Sequence, residues 1–408
     1  MANSDIGTRP QGGFKPPLFV SAGFRFFFLS AGIFAVFALA AWMLWLAIHA
    51  ANGMVVEATI NVAPHYWHAH EMIFGYGAAV VSGFFLTAVP NWTGEPTARA
   101  RFVAVVGAVW LAGRLAIWFS TYLPAPLIAF VDLVFLPPLI ARVAWNMRRN
   151  PQPRNLVFIG VLAAFVVANL MVHLEWIGVT SSTLIPGLYF GLTLLAVMIT
   201  IIGGRVVPAF TRNALRRGGE EVRLPVSRAW SDRAGILTAV ILALTVALDL
   251  PDVVIGIAAA AAAAANGIRL SAWRWQDTLH DPILWSLHLG FGMLVLGFAT
   301  LSCAYLFEFP STIGAYHVLG IGAVGGMTLA VMTRASLGHT GRALKVAPSI
   351  GVAYAVIGIA ALVRGFGTDL FPAWYNTVIF TSGLLWIAGF TIFSVVYWPI
   401  LTGPDARG

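Results

Sequence analysis

The sequence predicts an all-α, polytopic integral membrane protein of about twelve transmembrane helices with both termini cytoplasmic, and three observations predict it. Of the 408 residues, 59% are hydrophobic and only 10% charged, with a mean hydropathy of +0.84. A soluble globular chain carries about a quarter charged residues and cannot hide so much apolar surface. Apolar runs of roughly 18–25 residues, each long enough to cross a bilayer, recur from end to end. With an even number of spans, all but two of the 24 Lys and Arg residues fall in or beside segments on one side, the pattern of cytoplasmic loops. The exceptions are Arg114 and Arg364.

In chain order, a cytoplasmic tail (1–20) leads into the twelve-helix domain (21–400), and a second cytoplasmic tail (401–408) ends the sequence. Residues 1–17 are polar, and the first apolar run is too long for the core of a cleavable signal peptide. Helices are expected near 21–49, 64–90, 102–119, 126–145, 156–178 and 183–210. Arg148, Arg149 and Arg154 mark a cytoplasmic turn between the fourth and fifth. The connection 211–232, with Arg216, Arg217, Glu220 and Glu221, reads as a solvated cytoplasmic loop that could also divide two bundles of six. Six more helices follow near 233–249, 253–270, 282–304, 314–333, 347–366 and 373–400. The alanine run 258–265 is a helix interior of high propensity. No internal sequence repeat is visible, so an inverted-repeat transporter has no positive support.

A net charge of +8 would suit nucleic acid, but the basic residues sit in short loops between apolar runs. Topology accounts for them, and no nucleic-acid partner is expected. The single cysteine, Cys303, rules out an intramolecular disulfide and any thiolate cluster. It reads as a small buried apolar residue.

The chemistry concentrates in Trp67-His68-Ala69-His70-Glu71-Met72, at the start of the second span. Ionisable groups at membrane depth are costly and read as functional. Successive helical residues turn about 100°, so His68 and His70 point in nearly opposite directions, while Glu71 and His65 share the face of His68. One metal ion is an awkward fit for both histidines. Each could serve a different centre, or one could ligate while the other packs. Topology sorts the nine histidines by depth. His49, His65, His68, His70, His173 and His317 lie toward the outer face; His280, His288 and His339 lie toward the cytoplasm. The two levels are too far apart to share one ion. His49 and His280 read as interfacial or loop residues, and His65 as loop or supporting residue. His173, beside Glu175, is either a hydrogen-bonded core histidine or a ligand.

Arg114 and Asp132 fall at similar depth on adjacent spans and read first as a buried ion pair. The sharper alternative has Arg114 facing an anionic cofactor edge, such as a haem propionate. Arg205 could likewise meet a propionate or merely end its helix. Gly320, Gly322, Gly325 and Gly326 would permit close helix approach or make room for a flat macrocycle. Met72, Met171, Met327 and Met332 are soft enough for copper, although such stripes usually pack.

Several passages together resemble the NnrS family of membrane proteins associated with nitric oxide stress. They are GFRFFFLSAGIFA, WHAHEMIFGYGAAVVSGFFLTAVPNWTG, WLAGRLA, NLMVH, RVVPAFTRN, DPILWSLHLGFG and HVLGIGAVGGMTLAVMTRASLGHTGR, spanning residues 23–342. Phe26 stands where that family usually has proline, which touches only a helix start. The resemblance implies a twelve-span protein of the bacterial inner membrane that contains haem, of b type, and copper. The histidines inside the matching passages are His68, His70, His173, His288, His317 and His339.

The leading expectation is reduction of nitric oxide to nitrous oxide with electrons from an unidentified donor. His68, His70 and His317 are the expected metal ligands and His173 a possible fourth. Glu71 is the candidate proton donor. His288 and His339 would serve a cytoplasmic-side haem or a proton entry path. The alternatives are a copper, haem or metal-nitrosyl transporter, and a haem-based nitric oxide sensor.

Overall fold

The computed structural model describes residues 17–55, 59–149 and 151–406. The expected tail 1–20 therefore falls mostly outside the described residues, as do the side chain of Arg154 and the last two residues. Among the described residues all regular structure is helical. Twelve helices are long and apolar enough to cross a membrane, which makes this a multi-pass membrane protein. They are α1 (Gly23–Ala50), α2 (Pro64–Thr93), α3 (Ala100–Trp118), α4 (Ala125–Arg149), α5 (Asn155–Ile177) and α6 (Leu184–Arg217). The second half comprises α7 (Ala229–Ala247), α8 (Asp252–Ser271), α9 (Pro282–Phe307), α10 (Thr312–His339), α11 (Pro348–Leu370) and α12 (Pro372–Thr402). Phe26 sits inside α1, so its difference from the family leaves the helix start intact.

The start of α1 meets the end of α12 and the residues after it. Arg25 donates to the carbonyls of Leu401 (3.0 Å) and Gly403 (2.8 Å) and pairs with Asp405. We call this the terminal end of the bundle and the opposite one the distal end.

The expected loop at 211–232 is shorter than its charge suggested. α6 continues through Arg212, Arg216 and Arg217, because Ala, Leu and Arg are good helix formers and a helix can run on into water. Nor are the two halves apart: α1 packs on α12, and α6 packs on α2, α7, α9 and α10. Instead every fourth helix is central. Within α2, α6 and α10, 78%, 78% and 67% of the membrane-length window is buried, against at most 56% in any other span. Cys303 is another correction: it lies exposed on α9 rather than buried.

Local chemistry shapes the two central helices that carry histidines. α2 follows an α-helical path to His70, then opens into a wider π-helical stretch over Glu71–Gly77. α10 repeats the device, with a π-helical stretch over Val318–Gly325 directly after His317. Such stretches displace backbone hydrogen bonds and recur at functional sites. The Trp110 indole N–H donates to the Gly75 carbonyl at 3.0 Å, satisfying a group in the widened turn. In α4, Pro137 and Pro138 cannot continue the hydrogen-bond ladder, and the helix breaks between Leu133 and Leu136, beside Asp132.

Candidate metal and haem site

His68 and His70 face different neighbours, as their angular separation requires. His70 points toward α4 and α5 into a buried polar cluster. Its Nε2 lies 2.8 Å from Asn169 Oδ1 and its Nδ1 3.0 Å from Glu71 Oε1. Glu71 accepts from Arg114 at 2.6 Å, and Arg114 also pairs with Asp132. Asp132 Oδ2 in turn accepts from Asn169 Nδ2 at 2.7 Å and from His173 Nε2 at 2.9 Å. None of the six residues His70, Glu71, Arg114, Asp132, Asn169 and His173 is more than 5% exposed. Glycines make the space: a Cβ at Gly75 would stand 2.8 Å from an Arg114 nitrogen, and one at Gly113 3.0 Å from Asp132 Oδ1.

Both ring nitrogens of His70 face oxygen atoms, Glu71 Oε1 and Asn169 Oδ1. Two carboxylates face one guanidinium, which leaves room for one more positive charge. A metal cation would supply it. His70, Asp132 and His173 offer one ligand atom each within 4.8 Å of one another. Two imidazoles and a carboxylate suit a divalent transition metal, so these residues fit a metal ion. His173 Nε2–H is turned to Asp132, which leaves Nδ1 as its lone-pair nitrogen.

His68 lies on the other side of α2. Its ring stacks on Trp42 with centroids 5.2 Å apart and planes 9° from parallel. Its Nδ1 is buried with no hydrogen-bond partner. His317 on α10 donates Nδ1–H to the Ile313 carbonyl at 2.7 Å, which fixes the tautomer and leaves Nε2 with its lone pair. His68 and His317 lie within electrostatic range of each other, and both within range of Arg364 on α11. One turn from His317, a Cβ on Gly320 would find only the Leu192 methyls, at 3.8 Å. Two imidazoles with uncommitted nitrogens, an open glycine face and aromatic walls fit a haem.

The chain matches the family model described as NnrS protein over residues 18–405. The chain belongs to the NnrS family. No curated protein matches it. NnrS membership suggests a nitric oxide-related haem and copper membrane protein, which agrees with a buried cluster able to hold a metal.

The other sequence candidates divide by surroundings. Glu71, expected on the His68 face, is drawn to the His70 side by Arg114. Arg205 donates to Asn155 Oδ1 at 2.9 Å and stands over the Phe158 ring. At the terminal end His288 is buried, and its Nε2 lies 2.9 Å from Thr211 Oγ1. That hydroxyl already donates to the Val207 carbonyl, so His288 is the donor and its buried Nδ1 has no partner. His339 is exposed beside Phe24, in different surroundings from His288. His49, His65 and His280 are exposed. Glu175 accepts the N–H groups of Thr183 and Leu184, both at 2.7 Å, capping α6 rather than holding His173. Met327 packs its backbone against Gly290.

Sequence reasoning missed Asn169, Trp42 and the position of Arg364 near His68 and His317. The Asn169–His173 spacing of four, which aligns both on one helical face, was the available signal for the first.

Proposed function

We propose that this NnrS protein reduces nitric oxide to nitrous oxide at the distal end of the bundle: two NO, two electrons and two protons give N₂O and water. The supporting observation is the placement of two histidine centres on opposite sides of α2, on residues as close in sequence as His68 and His70. In this reading His68 and His317 hold a haem of b type, and His70, Asp132 and His173 hold copper. When bound, these metals would bind nitric oxide and pass on electrons from an external donor.

The chain's own residues supply the rest. His317 is oriented by Ile313 and His68 by Trp42. Glu71 shares a proton with His70 in a water-poor cluster, where it can be delivered to a reacting oxygen. Arg114 holds Glu71 and Asp132 in place. An apolar cleft between α2, α6 and α10, lined by Val80, Phe84, Met198, Ile202, Met327 and Val331, suits the entry of a small apolar gas from lipid. On the positive-inside pattern, the distal end faces away from the cytoplasm of a bacterial inner membrane. His288, with its unpartnered Nδ1, is the residue at the terminal end to test for a second haem or proton entry, and His339 lies nearer the surface.

The test is anaerobic nitric oxide consumption by the purified, reduced protein, with haem and copper quantified on the same sample. Catalytic loss of nitric oxide with nitrous oxide appearing is expected. His317→Ala should remove the haem signal, and Glu71→Gln should lower turnover about 10²-fold or more with both metals retained. A stoichiometric spectral change without turnover would leave a sensor. Absence of haem would put a transporter first.

A further inference from the structure

Arg114 and Arg364 alone break the topology pattern of the basic residues, and each stands beside one histidine centre. Arg114 is matched by Glu71 and Asp132. Arg364 is partly buried, yet among the described residues no carboxylate pairs with it. Its hydrogen bond runs to Thr368 Oγ1 at 3.4 Å. Asp369, near it on the same helix, is committed to the Ser311 backbone N–H at 2.8 Å. The position is imposed by the backbone. A Cβ on Gly314 would stand 2.4 Å from the Gly365 carbonyl oxygen, and one on Gly365 2.3 Å from a Val318 methyl. α10 and α11 therefore touch at the level that carries His317 and Arg364.

We propose that Arg364 anchors the acidic edge of the haem held by His68 and His317, its guanidinium pairing with a propionate carboxylate. This rests on the haem reading given above. A guanidinium at membrane depth is costly without an anion. This fold sets two carboxylates of the chain against Arg114, whereas Asp369, within electrostatic range of Arg364, is turned to the Ser311 N–H and forms no ion pair with it. Haem is a flat apolar molecule with carboxylates along one edge, and the planar fork of Arg matches a carboxylate through two parallel N–H bonds. Arg364 is thus a positioning residue: it sets which edge of the macrocycle faces α11.

The experiment reconstitutes the full-length protein, stripped of cofactor, with haem or with haem dimethyl ester, which lacks the two negative charges. In the wild type, esterification should weaken binding roughly tenfold to a hundredfold, the range for charge-assisted hydrogen bonds. In Arg364→Gln the two cofactors should bind nearly alike, and the ferric–ferrous midpoint potential of haem should fall, because the guanidinium no longer favours the less positive ferrous state. Arg364→Lys should recover part of both effects. Equal penalties for the ester in wild type and Arg364→Gln would overturn the assignment and leave the haem centre standing. A wild type that binds haem and ester alike would overturn it without recourse to any variant. Haem spectra that survive His68→Ala and His317→Ala unchanged would overturn the centre itself, and the anchor with it.

Discussion

The two sides of α2 handle polar groups at membrane depth in opposite ways. On the His70 side the charged groups are matched within the chain, with only Arg114 Nε and His173 Nδ1 left over: Asp132 alone engages Arg114, Asn169 and His173. On the His68 side the groups are left open, with one imidazole nitrogen orphaned, another carrying a free lone pair, and a cation in contact with no carboxylate. Burying a polar group without a partner is unfavourable by a few kcal/mol, so the contrast carries information. A closed cluster can stand in an empty protein and needs only one cation, proton or metal, for balance. An open one is complete only when a ligand arrives. Folding stability should therefore reside on the His70 side and ligand-dependent stability on the His68 side.

The sharpest way to break that contrast is Asp132→Ala. It strands Arg114 beside Glu71 alone and removes the acceptor for Asn169 and His173. Breaking a buried ion pair by removing one partner typically destabilises by about 3–5 kcal/mol. Thermal unfolding of the detergent-solubilised, metal-free variant should show a loss of that size. A change below about 1 kcal/mol would mean the cluster is not closed as described.

Glycines give a smaller but paired test. At Gly75 an added Cβ would stand 2.7 Å from the Phe34 ring and 2.8 Å from Arg114, so Gly75→Ala overpacks the closed side. The expected cost is about 1–3 kcal/mol. At Gly320 the nearest atoms are 3.8 Å away, and the same change adds helix propensity without a clash. Gly320→Ala should leave stability unchanged or raise it by up to about 1 kcal/mol. Measured side by side, a destabilised Gly320→Ala and a neutral Gly75→Ala would invert the comparison.

How much of this was legible in the sequence depends on distance along the chain. Span number and helix position follow from local composition, which is why α2, α9 and α11 lie within a few residues of their expected ranges. The divergence of His68 from His70 follows from helical geometry alone. The partners did not follow. Asp132 and Asn169 reach His70 from α4 and α5, and only tertiary packing brings them there. Glu71 was misplaced because face-sharing counts Cβ directions, whereas the Arg114 side chain reaches across and pulls it to the other side. The central placement of α2, α6 and α10 was hidden because the four-helix spacing leaves no visible sequence repeat. His288 and His339 share a depth but not a neighbourhood, and depth was all that topology could give.

The smallest expected effect is the most discriminating. In the empty protein, Arg364→Gln should leave stability unchanged or raise it, because a partly buried guanidinium in contact with no carboxylate is itself costly. The same variant should diverge once haem is added. A ligand stabilises the folded state by RT ln(1 + [L]/Kd), so a tenfold weaker site loses about 1.4 kcal/mol of that gain at saturating haem. Unfolding curves with and without haem would read both numbers from one preparation. A large loss in the empty protein would place Arg364 in an internal ion network and make the two sides of α2 alike. No loss when empty, with a deficit only when haem is present, would locate the missing anion on the ligand.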